Sequence, residues 1–346
     1  MIHMRFNQAA SILECQSTSA DIRFTGITTD SRKVVPGMLF AALTGEHFDG
    51  HDYARQARDL GAVGLLVSRD VDVDLPVLQV QDVLVALGKL AGAWRLQCPA
   101  KVVGITGSNG KTTVKEMIAS ILSLSGSVLA TSGNFNNELG LPLTVFELDH
   151  SHDYAVLEMG ASQPGDIAYL GAIAKPEVAV ITNVGPAHLK GFIDIKGVAR
   201  AKGEIYASLP EDGTAIINQA EPWVEMWRGM NKAENVIFFN GEKDSSICAS
   251  FENDQCMVST PKGEFELRLP LPGRHNVDNA LAATAVCLAL DISLDDICKG
   301  LQTVKSVPGR LNLVQALSGW TVIDDTYNAN PASLYAALQV LSTQVG

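Results

Sequence analysis

No CxxC pair, no Cys and His at zinc-finger spacing, no apolar run near the roughly 18 residues of a membrane span and few cations: these absences mark the 346-residue sequence. Cys15, Cys98, Cys248, Cys256, Cys287 and Cys298 are scattered, which argues against a structural metal or disulfide scaffold and for small core thiols in a reducing compartment. The longest apolar stretch, near 280–290, is broken by Thr284 and is one buried helix long. Lys and Arg number 26 against 38 Asp and Glu, and a net charge of −12 disfavours nucleic acid and anionic membrane surfaces as partners. Residues 1–16 carry Arg5 and Glu14 and no small-residue cleavage pattern, so the expectation is no secretory leader and a cytoplasmic location.

What is present is globular: 47% of residues are hydrophobic and 18% charged, and the length suits two or three domains. Between 27 and 95, short apolar runs (38–43, 63–67, 77–80) alternate with helical patterns (53–60, 83–96), which predicts a small α/β domain over 1–98. Pro99 breaks that pattern. Strand-like runs at 101–106, 154–158, 178–182 and 215–217 with helices between them predict a doubly wound, mostly parallel sheet over 99–313, and the turn at 261–263 an antiparallel hairpin at its edge. After Pro308-Gly309-Arg310, a strand at 320–324 and an amphipathic helix at 333–341 cannot bury a core alone. Residues 314–346 are therefore expected to be the beginning of a domain whose remainder is absent.

The strongest chemical signal is GITGSNGKTT, 104–113, a glycine-rich turn after a strand and before a helix. Gly107, Ser108, Asn109 and Gly110 form a tight loop whose backbone N–H groups attract anionic oxygens, Lys111 can reach β/γ-phosphates, and Thr112 can hold Mg²⁺, with Thr113 following. A nucleoside triphosphate is the expected ligand, although Ile105 stands where the strict pattern wants glycine. Metal ligands are expected at the ends of neighbouring strands. Glu158 and His188 stand there, and His188 alone reads equally well as structural.

These segments, with EMGAS, TNVGPAHL, AKGEIY (201–206) and PGRHNVDNAL (272–281), resemble the Mur ligases, ATP-dependent amide-forming enzymes of peptidoglycan precursor synthesis. Within that family, TDSRKVVPG (29–37), FDGH (48–51), GNFNNELGLP (133–142) and DDTYNANP (324–331) are most similar to the branch that joins D-alanyl-D-alanine to UDP-N-acetylmuramoyl-tripeptide. The alternatives are a diaminopimelate- or lysine-adding relative, a folylpolyglutamate synthetase-like ligase, or a binding module without turnover.

The resemblance implies a mechanism and its residues. ATP phosphorylates the peptide carboxylate and the dipeptide amine attacks the acyl phosphate. Lys111 stabilises the γ-phosphoryl, Thr112 and Glu158 serve one Mg²⁺, His188 serves a second, and Lys202 is carbamoylated to support it. His275, Asn276 and Asn279 take the adenine, with helix capping the plain alternative for Asn276. Arg310 meets phosphate, Asp325 the ribose, and Tyr327 the base region. Thr29, Asp30, Ser31 and Arg32 contact the uracil and diphosphate, and Asn134, Asn136 and Asn137 the muramoyl-peptide. The resemblance also implies a Rossmann-like character for 314–346, a monomer, and weak or no amide formation by the chain as given.

Overall fold

A computed structural model of the chain describes residues 1–15, 22–186, 189–242, 247–252, 255–315 and 320–343. Backbone contacts divide it into two compact units. The first comprises Met1–Ala100, Thr131–His152 and Ala172–Lys175, and the second Lys101–Ala130, Asp153–Gly171 and Pro176–Gly346. This division differs from the expected boundaries at 98 and 313 in two ways. Residues 131–152 pack with the N-terminal segment, and 314–346 group with the central one.

In the first unit β1 (His3–Arg5) pairs antiparallel with β2 (Arg23–Thr25), and β3 (Ile27–Thr28), β4 (Leu39–Ala41), β5 (Gly64–Val67) and β6 (Val77–Gln79) form a parallel sheet in that order. The helix Val83–Arg95 starts where Asp82 accepts from the N–H groups of Leu84 and Val85. Its Leu87, Leu90 and Ala91 face is buried, and it packs against the helix Gly140–Glu147. Trp94, fully buried, donates from its indole to Leu148 O at 2.9 Å. That bond ties a residue before the Pro99 break to one 54 positions later, which local periodicity could not show.

The second unit holds β7 (Lys101–Thr106), β8 (Val128–Ala130), β9 (Tyr154–Glu158), β10 (Val178–Ile181), β11 (Thr214–Asn218) and β12 (Asn235–Phe239) in one sheet, ordered β12-β11-β10-β7-β9-β8. Every pairing is parallel, as the near-continuous apolar runs require of strands covered on both faces. The hairpin with its turn at 261–263 is present as β13 (Cys248–Glu252), β14 (Gln255–Thr260) and β15 (Gly263–Glu266), all antiparallel. Antiparallel β16 (Asn312–Gln315) and β17 (Thr321–Asp324) and the helix Pro331–Thr343 follow. On one face of the parallel sheet Val103 and Ile105 join Val114, Met117, Ile118 and Ile121 of the helix Lys111–Leu122 and Ala282, Ala285 and Val286 of the helix Arg274–Ala289 in one core. Each fully buried branched side chain there contributes about 1.5–3 kcal/mol.

The chain passes from β7 to its β9 side and then returns to β10, so strand order reverses beside β7, where open α/β sheets hold ligands at the carboxyl ends of strands. Tyr206 stiffens that point. Its hydroxyl accepts from Ile181 N at 3.2 Å and donates to Ile216 O at 2.6 Å, joining the end of β10 to the middle of β11. Tyr206→Phe should cost about 1–3 kcal/mol by leaving buried Ile181 N–H without that partner, read from the midpoint of urea unfolding.

Candidate active site

The loop between β7 and the helix Lys111–Leu122 holds two glycines that no other residue could replace without movement. Gly107 has φ +154°, and a Cβ there would collide with Thr182 Oγ1. Gly110 has φ +80°, and a Cβ would collide with Asn279 Oδ1. Gly110 supplies no side-chain cap, so the first-turn N–H groups of the helix stay open to an anion. Lys111 Nζ donates to Gly107 O at 2.9 Å and closes the loop on itself. Although Lys111 as a whole is half-buried, its ammonium is surrounded by protein, and burial pulls its pKa down against the opposing pull of Glu158, with Arg310 adding to the fall.

Thr112 Oγ1 is the centre of the site. It donates to Glu158 Oε2 at 2.8 Å and accepts from the Arg310 guanidinium at 2.9 Å. The hydroxyl and carboxylate expected to share a Mg²⁺ are thus adjacent, on the helix after β7 and at the end of β9. The Arg310 guanidinium carbon sits 4.2 Å over the Tyr327 ring, and its Nε is buried with no hydrogen-bond partner. An unsatisfied buried guanidinium N–H beside an open helix start fits a phosphate oxygen. Tyr327 thereby stacks on Arg310.

Lys202 lies on the buried face of the helix Ile195–Ala207, whose start Asp194 caps by accepting from Gly197 N. Burial, helped by repulsion from Lys111, brings its pKa down to about 7, and its amine has no hydrogen-bond or ion-pair partner among the described residues. A deep, partly neutral amine of this kind can take up CO₂. His188 lies outside the described residues.

Beside the loop a cavity of about 220 Å³ is lined by Asn109, Gly110, Asn183, His275, Asn279 and neighbours. His275 and Asn279 both line it. Asn276 is absent from that lining: its amide donates to Pro272 O at 2.7 Å and accepts from Asn279 Nδ2 at 3.1 Å, and it makes no cap, since the helix start at Gly273 has no side-chain cap bond. Glu221, Asp278, Asn218 and Asn240 also line the cavity and carried no signal in the sequence. Burial raises the pKa of both Glu221 and Asp278. Asp325 accepts from Leu311 N at 3.3 Å, and its charge acts on His275, opposing the downward effect of burial.

In the first unit Asp30 caps the turn Ser31–Lys33 and grips Arg32 through two bonds of 2.9 and 2.8 Å, which holds its carboxyl at about 2. Ser31 is buried and donates to Gln56 Oε1 at 2.9 Å, while Thr29 is half-buried. Asn134 and Asn137 are exposed and Asn136 half-buried, with Asn137 Oδ1 accepting from Gly140 N. These seven residues share one unit, and the phosphate-loop residues the other.

Two family models match the chain: the Mur ligase middle domain over residues 105–287 and the Mur ligase family catalytic domain over 23–95. The chain belongs to the Mur ligase family. It is 45% identical to UDP-N-acetylmuramoyl-tripeptide–D-alanyl-D-alanine ligase of Escherichia coli K12, across all of this chain and 78% of that protein. A crystal structure of MurF from Acinetobacter baumannii superposes with a TM-score of 0.93 at 39% identity, covering 100% of this chain and 78% of that one. A MurF ligase of Thermotoga maritima in complex with ADP gives 0.83 at 32% identity, covering 93% and 75%. As a Mur ligase the chain carries TGSNGKTT, Glu158 and Lys202 where its architecture brings the ends of β7 and β9 and a buried helix face to one place.

Two outcomes follow from this geometry. Gly110→Ala should weaken ADP binding at least tenfold by calorimetry and also lower the melting temperature, since the new Cβ is strained at φ +80° and meets Asn279. In CO₂-free buffer, stability should rise with pH from about 7 towards 10.5, since over that window the unfolded chain keeps a proton on Lys202 that the folded chain has released. Lys202→Met should flatten that rise in denaturant titrations.

Proposed function

We propose that this Mur ligase joins D-alanyl-D-alanine to the peptide carboxylate of UDP-N-acetylmuramoyl-tripeptide at the expense of ATP, in the cytoplasm. The observation that carries the reading is the Thr112 cluster. It sets a hydroxyl, a carboxylate and a guanidinium around the start of one helix, in a chain alike along its whole length to a ligase of that name.

In this reading the tripeptide carboxylate oxygen bonds to the γ-phosphorus as the bond to the β–γ bridging oxygen breaks and ADP leaves. The neutral dipeptide amine then attacks the acyl carbon, loses a proton, and inorganic phosphate departs as the amide forms. Negative charge accumulates in both steps, so cations placed in advance lower both barriers. Lys111 and Arg310 bind the β/γ-phosphate oxygens, the loop N–H groups orient them, and the cavity beside Asn279 and His275 takes the adenosine. Thr112 and Glu158 would hold one Mg²⁺, with His188 and Lys202 serving a second; such ions neutralise phosphate charge and polarise the carboxylate. Two amines this close to divalent ions would repel them. The neutral Lys202 amine adding to CO₂, with loss of one proton, gives a carbamate anion that supports an ion instead.

Residues 1–98 hold the uridine end through Thr29, Asp30, Ser31 and Arg32. Asn134, Asn136 and Asn137 hold the muramoyl-peptide, 99–313 the nucleotide, and 314–346 serve the acceptor side. A second reading, binding without turnover, draws on the exposed Leu334, Tyr335, Leu338 and Leu341 of the helix Pro331–Thr343. One assay separates them. Phosphate release that requires both UDP-substrate and D-alanyl-D-alanine, and is not matched by diaminopimelate, lysine or glutamate, supports the ligase. In that assay Glu158→Gln should lower kcat at least a hundredfold. Carbon-13 bicarbonate should give a carbamate resonance that Lys202→Met removes.

A further inference from the structure

The segment that follows β10 contains an asparagine that lines the cavity but spends its side-chain amide on the phosphate loop. Asn183 meets the phosphate loop at three points. Its backbone carbonyl accepts from Ser108 N at 2.9 Å, its Oδ1 accepts from Asn109 N at 3.0 Å, and its Nδ2 donates to Asn109 O at 3.1 Å. The last two bonds make the side-chain amide imitate a strand neighbour, pairing with both backbone polar groups of one loop residue. Thr182 Oγ1 adds a 2.6 Å bond to the same Asn109 carbonyl, and Ser108 Oγ exchanges bonds with Gly185 at 3.1 and 2.8 Å.

This docking decides which donors the loop can offer. With the Ser108 and Asn109 N–H groups spent on Asn183, the donors left for an anion are those around Gly110, at the start of the helix. The loop is also held from the other side, where Asn330 Nδ2 donates to Asn109 Oδ1 at 2.6 Å. Backbone geometry at Gly107 and Gly110 is thereby fixed before any ligand arrives, and pre-set donors bind more tightly than donors that must first be ordered.

We infer that Asn183 is a positioning residue for the nucleotide: its side-chain amide clamps Asn109 and so aims the remaining N–H groups of the loop at the phosphates. This rests on reading the loop as the nucleotide site. Ala at 183 removes two bonds to the loop, and the expected result is a 10- to 100-fold rise in the Kd for ADP. Asp at 183 keeps the acceptor for Asn109 N–H but turns a second oxygen towards Asn109 O, so it should also bind ADP weakly near neutral pH. Protonation of that carboxyl restores a donor, and its affinity relative to wild type at the same pH should recover as pH falls.

The experiment is ADP calorimetry on wild type, Asn183→Ala and Asn183→Asp across pH 5 to 8, alongside hydrogen exchange of the 104–112 segment without nucleotide. Weakened ADP binding, faster exchange at 108–109 in the Ala variant and acid recovery of the Asp variant support the inference. ADP binding within twofold of wild type in Asn183→Ala overturns it, even if exchange quickens, because the clamp would then be structural only. An Asp variant that shows no recovery relative to wild type also overturns it. A wild type that takes no ADP overturns the nucleotide reading itself and this inference with it. Asp is close to isosteric with Asn and provides the test should the Ala variant fold poorly.

Discussion

The site is built around positive charge that the protein leaves incompletely balanced. Lys111, Lys202 and Arg310 are drawn together, burial depresses both lysines, and Arg310 keeps an unpartnered N–H. Glu158 offsets Lys111 in part but is also engaged with Thr112. Holding cations away from water is costly. That cost is recovered when a polyanion enters, so the energy stored by packing becomes affinity for phosphate. The stacking of Arg310 on Tyr327 holds the guanidinium in place meanwhile, since cation–π contact needs no hydrogen-bond partner.

Such a cluster needs a rigid frame, and the parallel sheet supplies one. Adjacent strands β7, β9 and β10 end at the same edge, so the phosphate loop, Glu158 and the Thr182–Gly185 segment come together without long excursions. The core under the helices Lys111–Leu122 and Arg274–Ala289 fixes the helix that carries Thr112 relative to the helix that carries Asn279. Close approach between these helices is possible because Gly110 has no side chain to meet Asn279.

Much of this was legible in the sequence because it is local. Glycine spacing before Lys111, the apolar strand runs, the turn at 261–263 and Glu158 ahead of a glycine each depend on a few neighbouring residues. What escaped depends on register between distant segments. Asn183 meets Asn109 only because β10 lies beside β7, and Asn330 reaches the same residue across more than two hundred positions. Asn276 is a similar case: an amide early in a helix suits a base edge or a cap in the local pattern, and its bonds to Pro272 O and the Asn279 amide appear only once the preceding turn has folded back. The grouping of 131–152 with the N-terminal segment escaped for the same reason, since nothing in the local pattern around Trp94 names Leu148 as its partner.

That grouping bears on how the molecule is made. The first unit is interrupted by Lys101–Ala130, so a ribosome that has delivered only the first hundred residues has not yet supplied the helix Gly140–Glu147 on which the helix Val83–Arg95 lies. The nascent chain must hold Trp94 and its apolar neighbours uncovered while part of the nucleotide-binding sheet is synthesised. Completion of the two units is therefore interleaved in time, and a fragment cut at the Pro99 break would carry a raw hydrophobic flank instead of a finished module.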